Sequence, residues 1–513
     1  MPSIRVFSGA ALGLSAFPVE VEVDSTPGLH FFNIVGLPDK TVEESKDRIA
    51  SAIKNSGFIA PKQKNQRIIV NLAPADVRKE GSGFDVPIAL GYLLATKQIK
   101  FLTAKRLFFG ELALDGLVRK IVGVLPLVSM ARDQGYEEVI LPQENVPEAS
   151  AISGINIIGV SSLAQCIGYL EGTVKLSPAR PLNYAEHLKN TDISGSSMDD
   201  IKGQEQAKRA LMIAAGGGHN ILMHGPPGSG KTLLARALAG IMPLMNHEEA
   251  IEVTKIYSVA GLMGDTPLIT QRPFRSPHHS TSSVAIVGGG SWPRPGEITL
   301  AHRGVLFLDE FPEFPRTVIE ALRQPMEQGE VVVSRAATSV KFPARFMLVA
   351  AMNPCPCGNH GDPVKACICT EPMIARYQKK ISGPILDRID IQINVAREQY
   401  DKLASDAPPT GPSPQSMRAT IAGLRGFQRE RFVGTPLLTN SEMGPREIQK
   451  YCKLDTVSND FMRKIVTTHN LSGRGYHKIL KLARTIADLE KSPNIGMNHL
   501  AEAVNYRIQS EVI

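Results

Sequence analysis

Residues 225–232 read Gly225-Pro226-Pro227-Gly228-Ser229-Gly230-Lys231-Thr232, the pattern G-x-x-x-x-G-K-[ST]. An apolar run, Asn220 to His224, precedes it, and a helix-forming run, Leu233 to Leu238, follows. A chain that puts this loop between a buried strand and a helix is committed to a parallel α/β sheet. The glycines let the backbone curl so that its N–H groups face phosphate oxygens. Lys231 is expected to reach the β- and γ-phosphates, and the Thr232 hydroxyl to take a position on Mg²⁺.

The acids such a loop needs follow downstream. Val305-Leu306-Phe307-Leu308 is an apolar strand that ends in Asp309-Glu310. An acid at that edge can hold Mg²⁺ through water, which is assigned to Asp309. A second acid beside it can polarise the attacking water, which makes Glu310 the expected general base. A further apolar strand, Phe346 to Ala351, ends in Met352-Asn353-Pro354. Asn353 is expected to orient the lytic water. Arg388, in Pro384-Ile385-Leu386-Asp387-Arg388-Ile389-Asp390, sits in a helix-to-strand corner suited to an arginine finger that acts on a neighbouring subunit. Arg474, in Leu471-Ser472-Gly473-Arg474-Gly475, is placed to contact the γ-phosphate of its own subunit. For either arginine alone, a surface ion pair is the plainer reading.

The chain has 513 residues, enough for about three domains. The expected fold class is α/β: an N-terminal α+β domain over 1–170, a linker over 171–199, and a parallel α/β nucleotide-binding domain over 200–396. A Pro-rich linker over 397–416 and a C-terminal helical lid over 417–513 complete it. The first linker contains the polar stretch Lys189 to Ser197, and the second the Pro/Gly-dense stretch Ala407 to Pro414. Tyr476 through Lys491 carries a helical apolar stripe. No apolar run reaches the length of a membrane span. Arg5 followed by Ala10-Ala11-Leu12-Gly13-Leu14 imitates a leader, but Val19-Glu20-Val21-Glu22-Val23 then alternates as a half-buried strand, so a cytoplasmic enzyme with no membrane partner is expected. The net charge of +7 permits an acidic partner without specifying one.

Four of the six cysteines cluster as Cys355-Pro356-Cys357 and Cys367-Ile368-Cys369. A reducing compartment disfavours disulfides. Four thiols in two pairs match a closed, structural Zn²⁺ site, although C-x-C is tighter than the usual spacing. His360 can replace one cysteine. The plainer reading is four free thiols in a loop.

Taken together, these motifs resemble an AAA+ ATPase of the magnesium-chelatase branch, and the whole chain resembles the ComM/YifB family. That resemblance implies ATP and Mg²⁺ as cofactors and a homo-hexameric ring on single-stranded and branched DNA. It also implies helicase action that drives branch migration in DNA recombination and natural transformation. The N-terminal domain resembles the proteolytic domain of Lon, with departures. Lys79-Glu80-Gly81-Ser82-Gly83-Phe84-Asp85 puts Gly83 where the family's serine stands, and counting on from Gly110-Glu111-Leu112-Ala113-Leu114-Asp115-Gly116 puts Leu125 at the lysine position. Without oxygen and amine there is no Ser–Lys dyad, so an inactive protease fold is expected. Gln328 to Pro343 reads as a hairpin, which in ring ATPases of this branch points into the pore. Arg335 and Lys341 on it are candidate phosphate contacts, as is Arg275 in the basic insert Arg272-Pro273-Phe274-Arg275-Ser276-Pro277-His278-His279-Ser280. A solvated surface loop is the plainer reading of both. Two other functions share the motifs: a motor subunit that inserts Mg²⁺ into a tetrapyrrole, and a protein-remodelling chaperone.

Overall fold

A computed structural model of the chain describes residues 4–189, 197–290, 293–335, 338–362, 364–398 and 411–508. It divides into two compact units, the first comprising Met1–Thr191, His247–Thr270 and Pro293–Pro295, the second the remainder. The polar and Pro-rich linker stretches fall largely outside the described residues.

The first unit is built on a four-stranded sheet. Ile4–Leu12 and Ser15–Pro27 form an antiparallel hairpin, Gln66–Ala73 pairs antiparallel to the second strand, and Phe31–Val35 closes the sheet in parallel. The alternation read from the sequence holds: Val19, Val21 and Val23 are buried, while Glu20 and Glu22 lie between them on the other face. Ala10 and Ala11 of the leader-like stretch pair with Phe17 and Ala16 inside this hairpin. The helix Asp85–Ala95, buried on nearly every side, joins the sheet in one core with Ile68, Val70 and Leu72. A separate three-stranded parallel sheet holds Arg106–Phe108, Glu138–Pro142 and Asn156–Val160.

At the protease-like position Gly83 offers no side chain, and Leu125 is fully buried. The Ser82 hydroxyl donates to Glu111 and the Lys79 ammonium to the Pro74 carbonyl. Among the described residues no hydroxyl–amine pair forms there.

One boundary needs correction. The helix His247–Ala260 and the chain up to Thr270 belong to the first unit, not to a continuous 200–396 domain. Ser258 accepts from the Gly123 and Leu125 amides at 3.1 and 3.3 Å, and Lys120 donates to the Gly264 carbonyl at 2.9 Å. The helix buries Ala250, Val253 and Ile256. A boundary drawn from composition assumes that neighbours in sequence share a core, and here they do not.

The second unit is a five-stranded, all-parallel sheet in the order Phe274–Arg275, Val305–Leu308, Met347–Met352, Ile221–His224, Ile391–Asn394. Val305–Leu308 and Met347–Met352 are buried at every position, as strands covered on both faces must be. The C-terminal helices Pro414–Arg431, Thr456–Thr468, Gly473–Leu489 and Met497–Ile508 share one continuous core with this sheet. The expected C-terminal helical lid is present and packs on this sheet.

A buried polar knot ties those helices. The Asp488 carboxylate accepts two hydrogen bonds from Arg431, both at 2.6 Å. It also accepts from Arg484 at 2.9 Å and from Asn440 at 2.8 Å. Removing the acid leaves two arginines without their counter-charge, and breaking such pairs typically costs about 3–5 kcal/mol. Asp488→Ala should lower the urea midpoint of the unfolding step that reports this unit. An unchanged midpoint would remove the knot from the stability of the helices.

Candidate active site

Three strand ends meet at the C-terminal edge of the parallel sheet. The phosphate loop follows Ile221–His224, Asp309-Glu310 follows Val305–Leu308, and Asn353 follows Met347–Met352. Because these strands are adjacent and in parallel register, residues far apart in sequence converge. The Lys231 ammonium donates to the Gly225 and Pro226 carbonyls at 2.7 and 2.9 Å and meets Asn353 Oδ1 at 3.4 Å. The Thr232 hydroxyl donates to Asp309 Oδ2 at 2.7 Å. Those two oxygens are the pair expected around Mg²⁺, and hard oxygen donors suit that ion.

The loop geometry follows from its residues. Gly228 and Gly230 adopt φ of 77° and 89°, where a side chain is strained. A Cβ on Gly225 would stand 2.2 Å from the Val395 carbonyl oxygen, so only glycine passes beneath that strand. Glu310 itself has φ of 51°, uncommon for a residue with a side chain, and such strained backbone clusters at active sites.

His279 is a neighbour of Glu310 that the sequence pattern did not reveal. Its Nδ1 lies 3.3 Å from Glu310 Oε2. It follows the strand Phe274–Arg275, which pairs with the strand leading to Glu310. No spacing rule links residues 279 and 310, since their proximity depends on sheet order.

The two arginines lie elsewhere. The Arg388 carbonyl accepts from Asn220 Nδ2 at 3.0 Å, and Asn220 immediately precedes the strand Ile221–His224. Arg388 is thus at the opposite, N-terminal edge of the sheet, about 13 Å of strand away from the phosphate loop. Its guanidinium pairs with Glu327, and Arg474 approaches the same carboxylate at 3.9 Å. Nearby, Lys478 and His219 reach Asp390 at 2.8 and 3.3 Å, and together they hold its carboxyl well below the usual range against the opposing effect of burial. The expectation that Arg474 serves its own chain's phosphate loop is therefore not met: the helix Gly473–Leu489 starts at the far edge of the sheet.

The cysteines converge as expected. The sulfurs of Cys355, Cys357 and Cys367 are 3.4–3.7 Å apart, and with Cys369 all lie within 4.8 Å of one another. Four sulfurs around a tetrahedral ion at about 2.3 Å stand about 3.8 Å apart, so the spacing fits such an ion. Amides point at the sulfurs, with His360 donating to Cys355 at 3.3 Å and Cys369 to Cys367 at 3.4 Å. Amides of Asn359 and Ile368 draw the Cys357 thiol down to about 6, whereas the neighbouring sulfurs push Cys367 and Cys369 up, so the charge without an ion concentrates on Cys357. The cluster is placed to hold a metal ion. It also braces the phosphate loop: Gly358 has φ of 82° and lies so close that a Cβ would come within 2.7 Å of the Pro227 ring. Arg397 spans Asp362 of the cysteine loop at 3.5 Å and the Pro227 carbonyl at 3.3 Å.

The nucleic-acid candidates divide. The hairpin forms from Glu330–Arg335 and Thr338–Pro343 in antiparallel register. Lys341 is exposed on it, 3.1 Å from Glu330, while the Arg335 side chain lies outside the described residues. Arg275 is a correction. It belongs to the edge strand rather than a loop, and Glu297 binds its guanidinium through two bonds at 2.6 and 2.8 Å. That carboxylate takes up its Nε and Nη2 donors.

Burial lowers the Lys231 ammonium to about 8, although Asp309 partly opposes it. Phosphate recognition needs the charged form, and bound phosphates raise its pKa, so binding takes up a proton above pH 8. Nucleotide affinity should be flat between about pH 6.5 and 7.5 and then weaken by up to about tenfold per pH unit above 8. Titration with a fluorescent ATP analogue tests this, and flat affinity to about pH 9 would contradict it.

Comparisons with known proteins agree with this geometry. Residues 197–403 match the family model described as magnesium chelatase, subunit ChlI. Residues 21–145 match that of subunit ChlI of Mg-chelatase, and 411–507 that of the ChlI C-terminal region. The chain is 43% identical to competence protein ComM of Haemophilus influenzae over 98% of its own length and 97% of the relative's. It is 41% identical to YifB of Escherichia coli, covering 98% and 96%. The magnesium-chelatase 38 kDa subunit of Cereibacter sphaeroides is 29% identical over 30% of this chain and 51% of its own. With the phosphate loop, acids and strand-end asparagine assembled on a parallel sheet and this similarity running nearly end to end, the chain belongs to the ComM/YifB family of magnesium chelatase-like AAA+ proteins.

Proposed function

We propose that this protein is an ATP-hydrolysing DNA motor that works as a hexameric ring and drives branch migration during recombination.

ATP bound by Gly225 to Thr232 is hydrolysed with Glu310 as general base and Asn353 as the group that orients water. Mg²⁺ is held through Thr232 and Asp309. Arg388, with Arg474 beside it, acts on the nucleotide of a neighbouring copy. The substrate of the motor is single-stranded and branched DNA, moved through a hexameric ring during recombination of incoming DNA.

The observation that carries this reading is the division of charge between the two edges of one sheet. Lys231, Thr232, Asp309 and Asn353 converge at the C-terminal edge, whereas Arg388 and Arg474 share Glu327 at the other. An arginine there completes a site only when another copy brings its N-terminal edge to this C-terminal edge. Ring assembly follows from that need. The DNA part is supported by the name of the Haemophilus influenzae relative, a competence protein, and by the exposed Lys341 on a hairpin whose other face is buried. Among the described residues no helix is long and apolar enough to cross a membrane.

We assign structural Zn²⁺ to Cys355, Cys357, Cys367 and Cys369. A closed four-thiolate site has no open position for catalysis, so the ion's contribution is to hold the loop against Pro227.

Two experiments test these assignments. Glu310→Gln should bind ATP normally and slow hydrolysis by about 10²–10⁴-fold. Mixing Arg388→Ala chains into wild type should depress ATPase out of proportion to their fraction, with single-stranded and branched DNA raising the wild-type rate. Normal turnover by Glu310→Gln removes the base assignment, a rate linear in wild-type fraction removes the finger, and a rate indifferent to DNA removes the motor.

For the metal, protein purified without chelators should carry about one Zn²⁺ per chain. Cys357→Ser and Cys367→Ser should lose that zinc and keep ATP binding while DNA-stimulated hydrolysis falls. Elemental analysis that finds no zinc in wild type would overturn the assignment.

A further inference from the structure

Beside the catalytic edge, the turn Phe311–Glu313 with the residues that follow it faces the helix Glu371–Gln378 across an open cleft of about 750 Å³. Arg316, Arg376, Lys379 and Lys380 line it, with Glu313 as the one acid. Glu320, bonded to Ser382 of the lining, offsets part of the Arg316 charge, so Arg376 and Lys379 carry the positive excess. Lys380 neutralises Glu313 at 2.9 Å. Among the described residues Arg376 and Lys379 form no ion pair, and both are exposed. Repulsion among unpaired cations costs free energy that a polyanion relieves, and a concave wall concentrates the field.

Both walls lead directly to catalytic groups. On one, Phe314 meets the His279 ring edge-on at 6.5 Å, and His279 reaches Glu310 at 3.3 Å. On the other, Gln378 donates to the Pro354 carbonyl at 3.2 Å, next to Asn353. That helix begins two residues after Cys369, so the cysteine cluster sets where its basic face stands.

We propose that this cleft binds the phosphodiester backbone of a nucleic acid and that its occupancy is relayed to Glu310 through Phe314 and His279. The inference deepens the motor reading and rests on it. Contacts of this kind carry no base information, as a motor indifferent to sequence requires. His279 is a positioning residue here: it touches the general base, and displacement of Phe314 by a strand in the cleft changes where it holds that carboxylate.

The test uses the full-length protein and a fluorescein-labelled single-stranded oligonucleotide of mixed sequence. The double variant Arg376→Glu/Lys379→Glu should weaken binding by at least about tenfold near 0.1 M salt. Two lost contacts should flatten the slope of log K against log salt by about 1.4. Its ATPase without DNA should stay within about twofold of wild type while DNA stimulation disappears. The neutral pair Arg376→Gln/Lys379→Gln should shift binding in the same direction by less, which keeps the test valid if charge reversal impairs folding. His279→Ala should bind the oligonucleotide as wild type does and lose stimulation, whereas His279→Gln should restore part of it. Wild-type affinity in both cleft pairs overturns the cleft and leaves the motor reading standing. A wild-type protein that neither binds DNA nor responds to it overturns both. If the cleft variants fail to assemble with ATP where wild type forms a ring, the surface is a contact between copies and the proposal is wrong. Full stimulation of His279→Ala overturns the relay.

Discussion

Parallel register between neighbouring strands governs everything else in the nucleotide site. Ile221 stands opposite Val349, and Val349 opposite Phe307, so three strands run the same way and end at one edge. Whatever follows each strand must then face the same space. The ammonium of Lys231 reaches Asn353, and Thr232 reaches Asp309, without any long side chain having to search. The same rule separates what precedes the strands. Arg388 enters Ile391–Asn394 from the other end and so stands apart from the phosphate loop of its own chain. One constraint thus produces both the assembled cluster at one edge and the separation of Arg388 from it.

The assembled cluster is held by close contacts rather than by stiffness of the loop alone. Gly225 passes under Val395 at a distance that excludes any side chain, and Gly358 brings the cysteine loop onto Pro227. Arg397 links that loop and the phosphate loop through Asp362 and the Pro227 carbonyl. Four convergent sulfurs repel one another as thiolates, so an ion among them would convert a source of disorder into a brace. Glu310, in a left-handed backbone conformation and within reach of His279, is held in a geometry that its neighbours determine.

Among the described residues, the N-terminal unit carries no hydroxyl–amine pair at the positions where its sequence resembles a protease. Gly83 and the buried Leu125 leave no nucleophile or amine at the aligned positions, and Ser82 and Lys79 spend their hydrogen bonds on Glu111 and Pro74. That unit instead receives the helix His247–Ala260 from the middle of the chain, anchored through Ser258. A segment flanked on both sides by residues of the nucleotide-binding unit therefore carries contacts of the first.

Local chemistry decided much of this in advance. A glycine-rich loop between an apolar run and a helix former has one productive conformation. Apolar runs that end in Asp309-Glu310 and Asn353 read as buried strands with polar ends, and the paired cysteines point to a cluster. Those features were legible because each depends on residues a few positions apart. The structure alone decided that Arg275 is spent on Glu297, that Arg474 shares Glu327 with Arg388, that His279 touches Glu310, and that residues 247–270 leave the nucleotide-binding unit. Each of these depends on which strand lies beside which and on which surface a helix covers. Such choices are settled by burial summed over a whole core, and no window along the chain contains that sum.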